Sequence, residues 1–238
     1  MKTIYGILKS NEYPGRGIAV GLSPSGRYAV AAYFIMGRSA NSRNRVFATD
    51  GEGIRTQAFD PSKMTDPTLV IYAPVRTAKD ALIVTNGDQT DTIKSYLQTG
   101  KSFKDALLTR TYEPDAPHFT PRISALLHLS EPYSYEIAIL KASAPDGGDC
   151  AREFYAYTPE KGVGHLIHTY KENGNPLPSF KGAPIAFQTE EEIDTFTNSL
   201  WNALNEANKI SLFVRYIDLQ AGKAQTRIVN KNKDKEPK

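Results

Sequence analysis

Arg27–Met36 reads RYAVAAYFIM, a run in which apolar and aromatic side chains follow one another almost without a break. Such residues favour the pleated, enclosed surface of a sheet, and the turn sequence SPSG leads into the run. It is read as a buried strand. Directly behind it, MGRSANSRNRV (Met36–Val46) carries three arginines in eleven residues, with no acidic residue until Asp50. Arginine stays charged at any working pH and offers a planar fork of donors that fits phosphate or carboxylate. A buried strand that ends in uncompensated arginine predicts an oxyanion site.

Working outward, runs of the same composition recur at Gly17–Leu22, Thr68–Val75, Asp80–Gly87, Tyr133–Leu140, Glu153–Thr158, Val163–Tyr170 and Ile210–Leu219. Short turn sequences such as TPEKG and APDGG separate several neighbours, so the sheets are expected to be largely antiparallel. Helices are fewer. The clearest lies in TEEEIDTFTNSLWNALNEAN, where Thr189 and Glu192 have capping-box spacing and Ile193, Phe196, Leu200 and Leu204 recur with a helical period. Two more are expected at about Thr90–Gln98 and Ser102–Leu108. The TGKS between them is not a phosphate loop, because Ser95 occupies the place of the upstream glycine. The segment 220–238 is polar and charged and reads as a flexible tail after a single domain, 1–219.

At 238 residues and 40% hydrophobic content, the chain can bury one continuous core. The formal charge of +3 owes part of its excess to the C-terminal NKNKDKEPK, so nucleic acid is not an expected partner. No run reaches the roughly 18 to 20 apolar residues that cross a bilayer, and the N-terminus lacks a signal-like apolar region, so an intracellular, cytoplasmic protein is expected. A single cysteine, Cys150, excludes a disulfide framework and a cysteine-rich zinc site. His165 and His168 sit three apart in one expected strand, on opposite faces, and are badly placed to share a metal. Neither a G-x-S-x-G elbow nor a G-x-G-x-x-G fingerprint occurs, so chemistry without metal or cofactor is expected.

Three clusters interrupt the strand pattern. YPGRG (Tyr13–Gly17) brackets Arg16 with glycines that let backbone approach a ligand. The arginine stretch combines Arg38, Arg43 and Arg45 with Ser39, Asn41, Ser42 and Asn44. TYEPDAPHFTPRIS (Thr111–Ser124) holds Glu113, Asp115, His118 and Arg122 among three prolines, which exclude a helix interior or central strand and predict a stiff loop.

In this order and spacing, YPGRGI, MGRSANSRNRVF and YEPDAPHFTPRIS resemble the inosine monophosphate (IMP) cyclohydrolase family of archaeal type. The resemblance implies an α+β fold, a four-layer αββα sandwich of two antiparallel sheets, similar to the N-terminal-nucleophile hydrolases. Position 2 is Lys2 and no exposed N-terminal nucleophile is evident, so the hydrolytic chemistry of that fold is not carried over. It further implies closure of 5-formamidoimidazole-4-carboxamide ribonucleotide (FAICAR) to IMP with loss of water, with no cofactor. A separate formyltransferase is expected to supply the substrate, and a homo-oligomer is the family's habit. By this resemblance Arg38, Tyr72 and Glu113 are the expected catalytic residues. Arg16, Ser39, Arg43, Asn44, Arg45, Asn86, Asp88, Asp115 and Arg122 are the expected binding residues, while His118 departs from the small amide expected there.

Overall fold

The computed structural model describes residues 1–232. Its strands form two sheets, within each of which every pairing is antiparallel. The first contains β1 (Arg16–Leu22), β2 (Tyr28–Met36), β10 (Val163–His168), β11 (Ile185–Gln188), β12 (Lys209–Asp218) and β13 (Ala224–Asn230). The second contains β3 (Arg45–Asp50), β4 (Gly53–Ala58), β5 (Val75–Ala78), β6 (Ala81–Thr85), β7 (Arg122–His128), β8 (Ser134–Ala144) and β9 (Gly147–Tyr157). Their orders are β11-β10-β1-β2-β12-β13 and β3 through β9 in sequence.

Strand β2 shows why its sequence is apolar throughout. Ala29, Ala31, Tyr33 and Ile35 join Val84, Ala125 and Ile137 in the core between the sheets. The alternate residues Val30, Ala32, Phe34 and Met36 face outward, where Ile193, Phe196 and Leu200 of α5 (Ile193–Ala203) cover them. A strand enclosed on both faces has no position for a polar alternation. The second sheet is covered likewise: Ile93 of α3 (Gln89–Gln98) and Phe103 and Leu107 of α4 (Phe103–Leu108) pack on Ile83, Leu126 and Leu140. Two short helices, α1 (Ile4–Leu8) and α2 (Ala40–Arg43), complete the chain's α elements among the described residues. Helix, sheet, sheet and helix are stacked, as the α+β αββα expectation required.

Several local expectations change. Within Thr68–Val75 only Val75 enters a strand; Pro67 and Pro74 interrupt the stretch, and Tyr72 is tied instead to Thr56 by backbone and hydroxyl bonds of 2.8 Å. The capping box at Thr189 does not form. The Thr189 hydroxyl donates to Leu22 O at 2.8 Å, and α5 starts later, at Ile193, with Glu192 making no side-chain cap bond. The box at Ser102 and Asp105 is present.

The stretch after Leu219, expected as a tail, contains β13, which pairs with β12 from Ala224 to Asn230; residues 233–238 lie outside the described residues. An edge strand needs only partial burial, which explains the polar composition of AQTRIVN. Its last residue also spans the sheets. Phe47 N–H donates to Asn230 Oδ1 at 2.9 Å, and Asn230 Nδ2 donates to Phe47 O at 3.0 Å.

Phe196 is fully buried and stacks 5.9 Å from Phe187. Phe196→Ala is expected to cost roughly 3–5 kcal/mol through the lost contacts and the cavity left behind, measured as a lower urea midpoint at unchanged denaturant slope.

Candidate active site

Antiparallel pairing sets Arg16, the first residue of β1, opposite Ile35 near the end of β2. Two of the three sequence clusters therefore meet at one end of the first sheet. The third, residues 111–121, leads into β7 of the facing sheet, and it closes the same end. The result is a cavity of about 310 Å³, of the size that takes a small molecule.

The first cluster gives the cavity Tyr13, Gly15 and Arg16; the second gives Met36, Arg38, Ser39, Ser42 and Arg45; the third gives Glu113, Asp115, His118 and Thr120. Leu69, Val70, Tyr170 and Leu177 complete the wall. Gly15 has a backbone φ of 80°, and a Cβ there would lie 2.3 Å from Thr169 Oγ1. Only glycine allows the chain to pass so close and still aim Arg16 inward.

Arg16 and Glu113 form a two-pronged ion pair, Nη1 to Oε1 and Nη2 to Oε2, both 3.0 Å. Both side chains are almost wholly buried, at 11% and 2% exposure. Burial pushes the Glu113 carboxyl up from its ordinary range, opposed by Arg16 and Arg122. On Arg16, burial is the largest single influence and acts to lower the guanidinium, but Glu113 together with Tyr72, Tyr170 and Tyr33 holds it above its ordinary value, so Arg16 stays charged in the pair.

The arginines that follow β2 are held differently. Arg45 Nε donates to Ser42 O at 2.7 Å, and Arg38 Nη1 to Asn173 Oδ1 and Gly174 O, each at 2.8 Å. Arg43 Nε donates to Gly37 O at 3.0 Å and Nη2 to Asn208 Oδ1 at 3.2 Å, behind the cavity wall. Among the described residues none of these three meets a carboxylate. Burial lowers the Arg45 guanidinium, which nevertheless starts from a value far above neutrality. The cavity thus carries fixed positive charge in excess of its acids.

Not every expected site residue lines this space. Tyr72, half-buried, bonds through its hydroxyl to the buried Tyr33 hydroxyl at 2.7 Å. Asn44 is spent on Asp60, accepting from its N–H and donating to its carbonyl, both at 2.8 Å. Asn86 braces the backbone of Pro121 and Ile123; only its own carbonyl reaches Arg16, at 3.4 Å. Asp88 pairs with Arg110 and with Arg122, whose Nη1 also donates to Gln89 Oε1 at 2.7 Å. Asp115 pairs with no arginine among the described residues: it accepts from Thr120 N–H at 2.6 Å and from the Thr120 hydroxyl, which in turn is bonded to Tyr170.

Tyr13, Thr120 and Tyr170 are wall residues that the sequence reading did not single out. A tyrosine beside a strand looks like packing, and only the stack of Tyr13 on Tyr170, at 5.9 Å and 16°, gives the pair a shared place. His118 does reach the cavity, with Nδ1 accepting from Leu177 N–H at 3.2 Å; in that arrangement a neutral ring carries its proton on Nε2.

Residues 13–223 match the family model described as IMP cyclohydrolase-like protein. The chain belongs to that family. It is 31% identical over 163 residues to an IMP cyclohydrolase of Methanopyrus kandleri, covering 67% of this chain and 76% of that one. An IMP cyclohydrolase of Methanothrix thermoacetophila is 29% identical over 175 residues, covering 72% and 80%. One of Methanosphaera stadtmanae is 34% identical over 121 residues, covering 49% and 58%. The family match begins at Tyr13 and spans all three clusters that build the cavity.

Tyr170 is itself fixed by His168, whose Nδ1 is 2.8 Å from Tyr170 O. Burial pushes the His168 imidazole down to about 4 from 6.5, with the carbonyl bond opposing. The neutral ring is the folded form, so this stabilisation is complete above about pH 6.5 and is lost as pH falls towards 4. Relative to His168→Gln, the wild type is expected to lose roughly 2–3 kcal/mol more between pH 7 and pH 4.5, read from urea unfolding at both pH values.

Proposed function

We propose that this protein closes the ring of 5-formamidoimidazole-4-carboxamide ribonucleotide to give IMP and water. The observation that carries this reading is the convergence, in one cavity, of two arginines without carboxylate partners, Arg38 and Arg45, beside the buried Arg16–Glu113 pair. Membership of the family adds to it.

In this reaction the carboxamide nitrogen attacks the formyl carbon of the same molecule. Its lone pair is delocalised into the carbonyl, so the barrier is high. As the nitrogen–carbon bond forms, the formyl oxygen takes up negative charge and then a proton, while the nitrogen gives one up. The formamide nitrogen next loses its proton, a second proton reaches the hydroxyl, and water leaves as the carbon–nitrogen double bond forms. Enclosure holds the two substituents in reacting geometry, cationic donors stabilise the oxyanion, and a carboxylate moves protons.

Glu113 is assigned the proton-accepting role, held as a carboxylate by Arg16 and kept basic by burial. Arg38 is assigned to the formyl oxygen. Tyr72 lies behind the cavity wall; when Tyr33 donates to it the Tyr72 proton is free, and Tyr72 is assigned as the proton source for the same oxygen from that side. Arg45 and Ser39 bind the anionic part of the ligand, Asp115 the sugar, and Arg43, Asn44, Asn86, Asp88 and Arg122 act from behind the wall. The chemistry uses no cofactor. A separate formyltransferase supplies the substrate, and the protein works in the cytoplasm as a homo-oligomer without nucleic acid or membrane partners. The described residues contain no helix long and apolar enough to cross a membrane.

The test is a spectrophotometric assay of ring closure by the purified protein. Turnover above the uncatalysed rate is expected, falling roughly 10²-fold or more in Glu113→Gln, with a comparable fall in Arg38→Ala. Formate release in place of IMP, or an uncatalysed rate in the wild type, would sink the reading.

A further inference from the structure

Most polar groups of the cavity wall have protein partners, and one buried hydroxyl does not. Tyr13 is 7% exposed and lines the cavity. Its ring is gripped by Tyr170 and by the Arg38 guanidinium, 5.1 Å from the ring centre. Its backbone N–H donates to Asn11 Oδ1 at 3.1 Å, but among the described residues its hydroxyl has no hydrogen bond. Nor is that hydroxyl sealed in. Ser211 Oγ is the one fully buried, unpartnered side-chain oxygen or nitrogen among the described residues, so the Tyr13 oxygen keeps accessible surface, on a residue that lines the cavity.

A phenol this deeply placed is costly unless something accepts its proton. Burial pushes the Tyr13 hydroxyl up, against the pull of Arg16, Arg45, Arg38 and Arg43, so it remains a donor at neutral pH. A donor surrounded by guanidinium groups calls for an anionic acceptor. Of the parts of a ribonucleotide, the 5′-phosphate carries the negative charge.

We infer that Tyr13 donates its hydroxyl hydrogen bond to a phosphate oxygen of the bound ribonucleotide, alongside Arg45. This rests on the cyclohydrolase reading for the identity of the ligand. Tyr13→Phe removes only the oxygen and keeps the ring that Tyr170 and Arg38 hold, so it isolates the hydroxyl. Calorimetric titration with IMP and with inosine, on wild type and variant, provides the test. The expected result is an IMP dissociation constant raised about tenfold or more in Tyr13→Phe, with that for inosine unchanged. An unchanged IMP constant overturns the inference, as does equal weakening of IMP and inosine, which would assign the hydroxyl to the nucleoside. A wild type that binds IMP, and shows the Tyr13 effect, without catalysing ring closure would defeat the proposed reaction and support the phosphate contact. A wild type that fails to bind IMP overturns both.

Discussion

The Arg16–Glu113 pair is the interaction on which the site depends. Arg16 belongs to the first strand of one sheet, and Glu113 to the loop that enters the other. Taking two charges from water is expensive, and it is compensated only where geometry and additional hydrogen bonds are good. Here both carboxylate oxygens are used, Asn86 O adds a third acceptor for Arg16, and Glu113 N–H donates to Thr120 O at 2.9 Å. The pair sets where the third cluster lies against the first. Asp115, Thr120 and Tyr170 then follow as a chain of hydrogen bonds along the same wall.

Much of the fold was legible because sequence periodicity reports enclosure. RYAVAAYFIM, GIAVGL and ISLFVRYIDL are strands covered on both faces, and their predominantly apolar character, without a regular polar alternation, says so. The elements that escaped notice did so for different reasons. β3 and β4, with ATD and IRTQ, alternate without a strong apolar set; β13 is an edge; and β7 starts at Arg122, inside the stretch read as loop. Thr68–Val75 erred the other way: its β-branched residues have strand propensity, but flanking prolines and the bonds to Thr56 impose an irregular path.

For the site, residue type located the clusters but could not say where each side chain points. Arg16, Arg38, Ser39, Arg45, Glu113 and Asp115 converge on the cavity. Asn44, Asn86 and Asp88 have chemically similar side chains that are consumed by backbone or arginine nearby in space, and sequence carries no mark of that consumption. Tyr13 and Tyr170 present the converse problem, since their apolar bodies conceal the destination of their hydroxyls.

The amide of Asn230 has a consequence for the open edge of the second sheet. By answering both the N–H and the carbonyl of Phe47, it occupies one of the positions through which a further strand would pair with the edge of β3. That rim is hemmed by one side chain, as a fabric edge is stopped from unravelling by a single stitch.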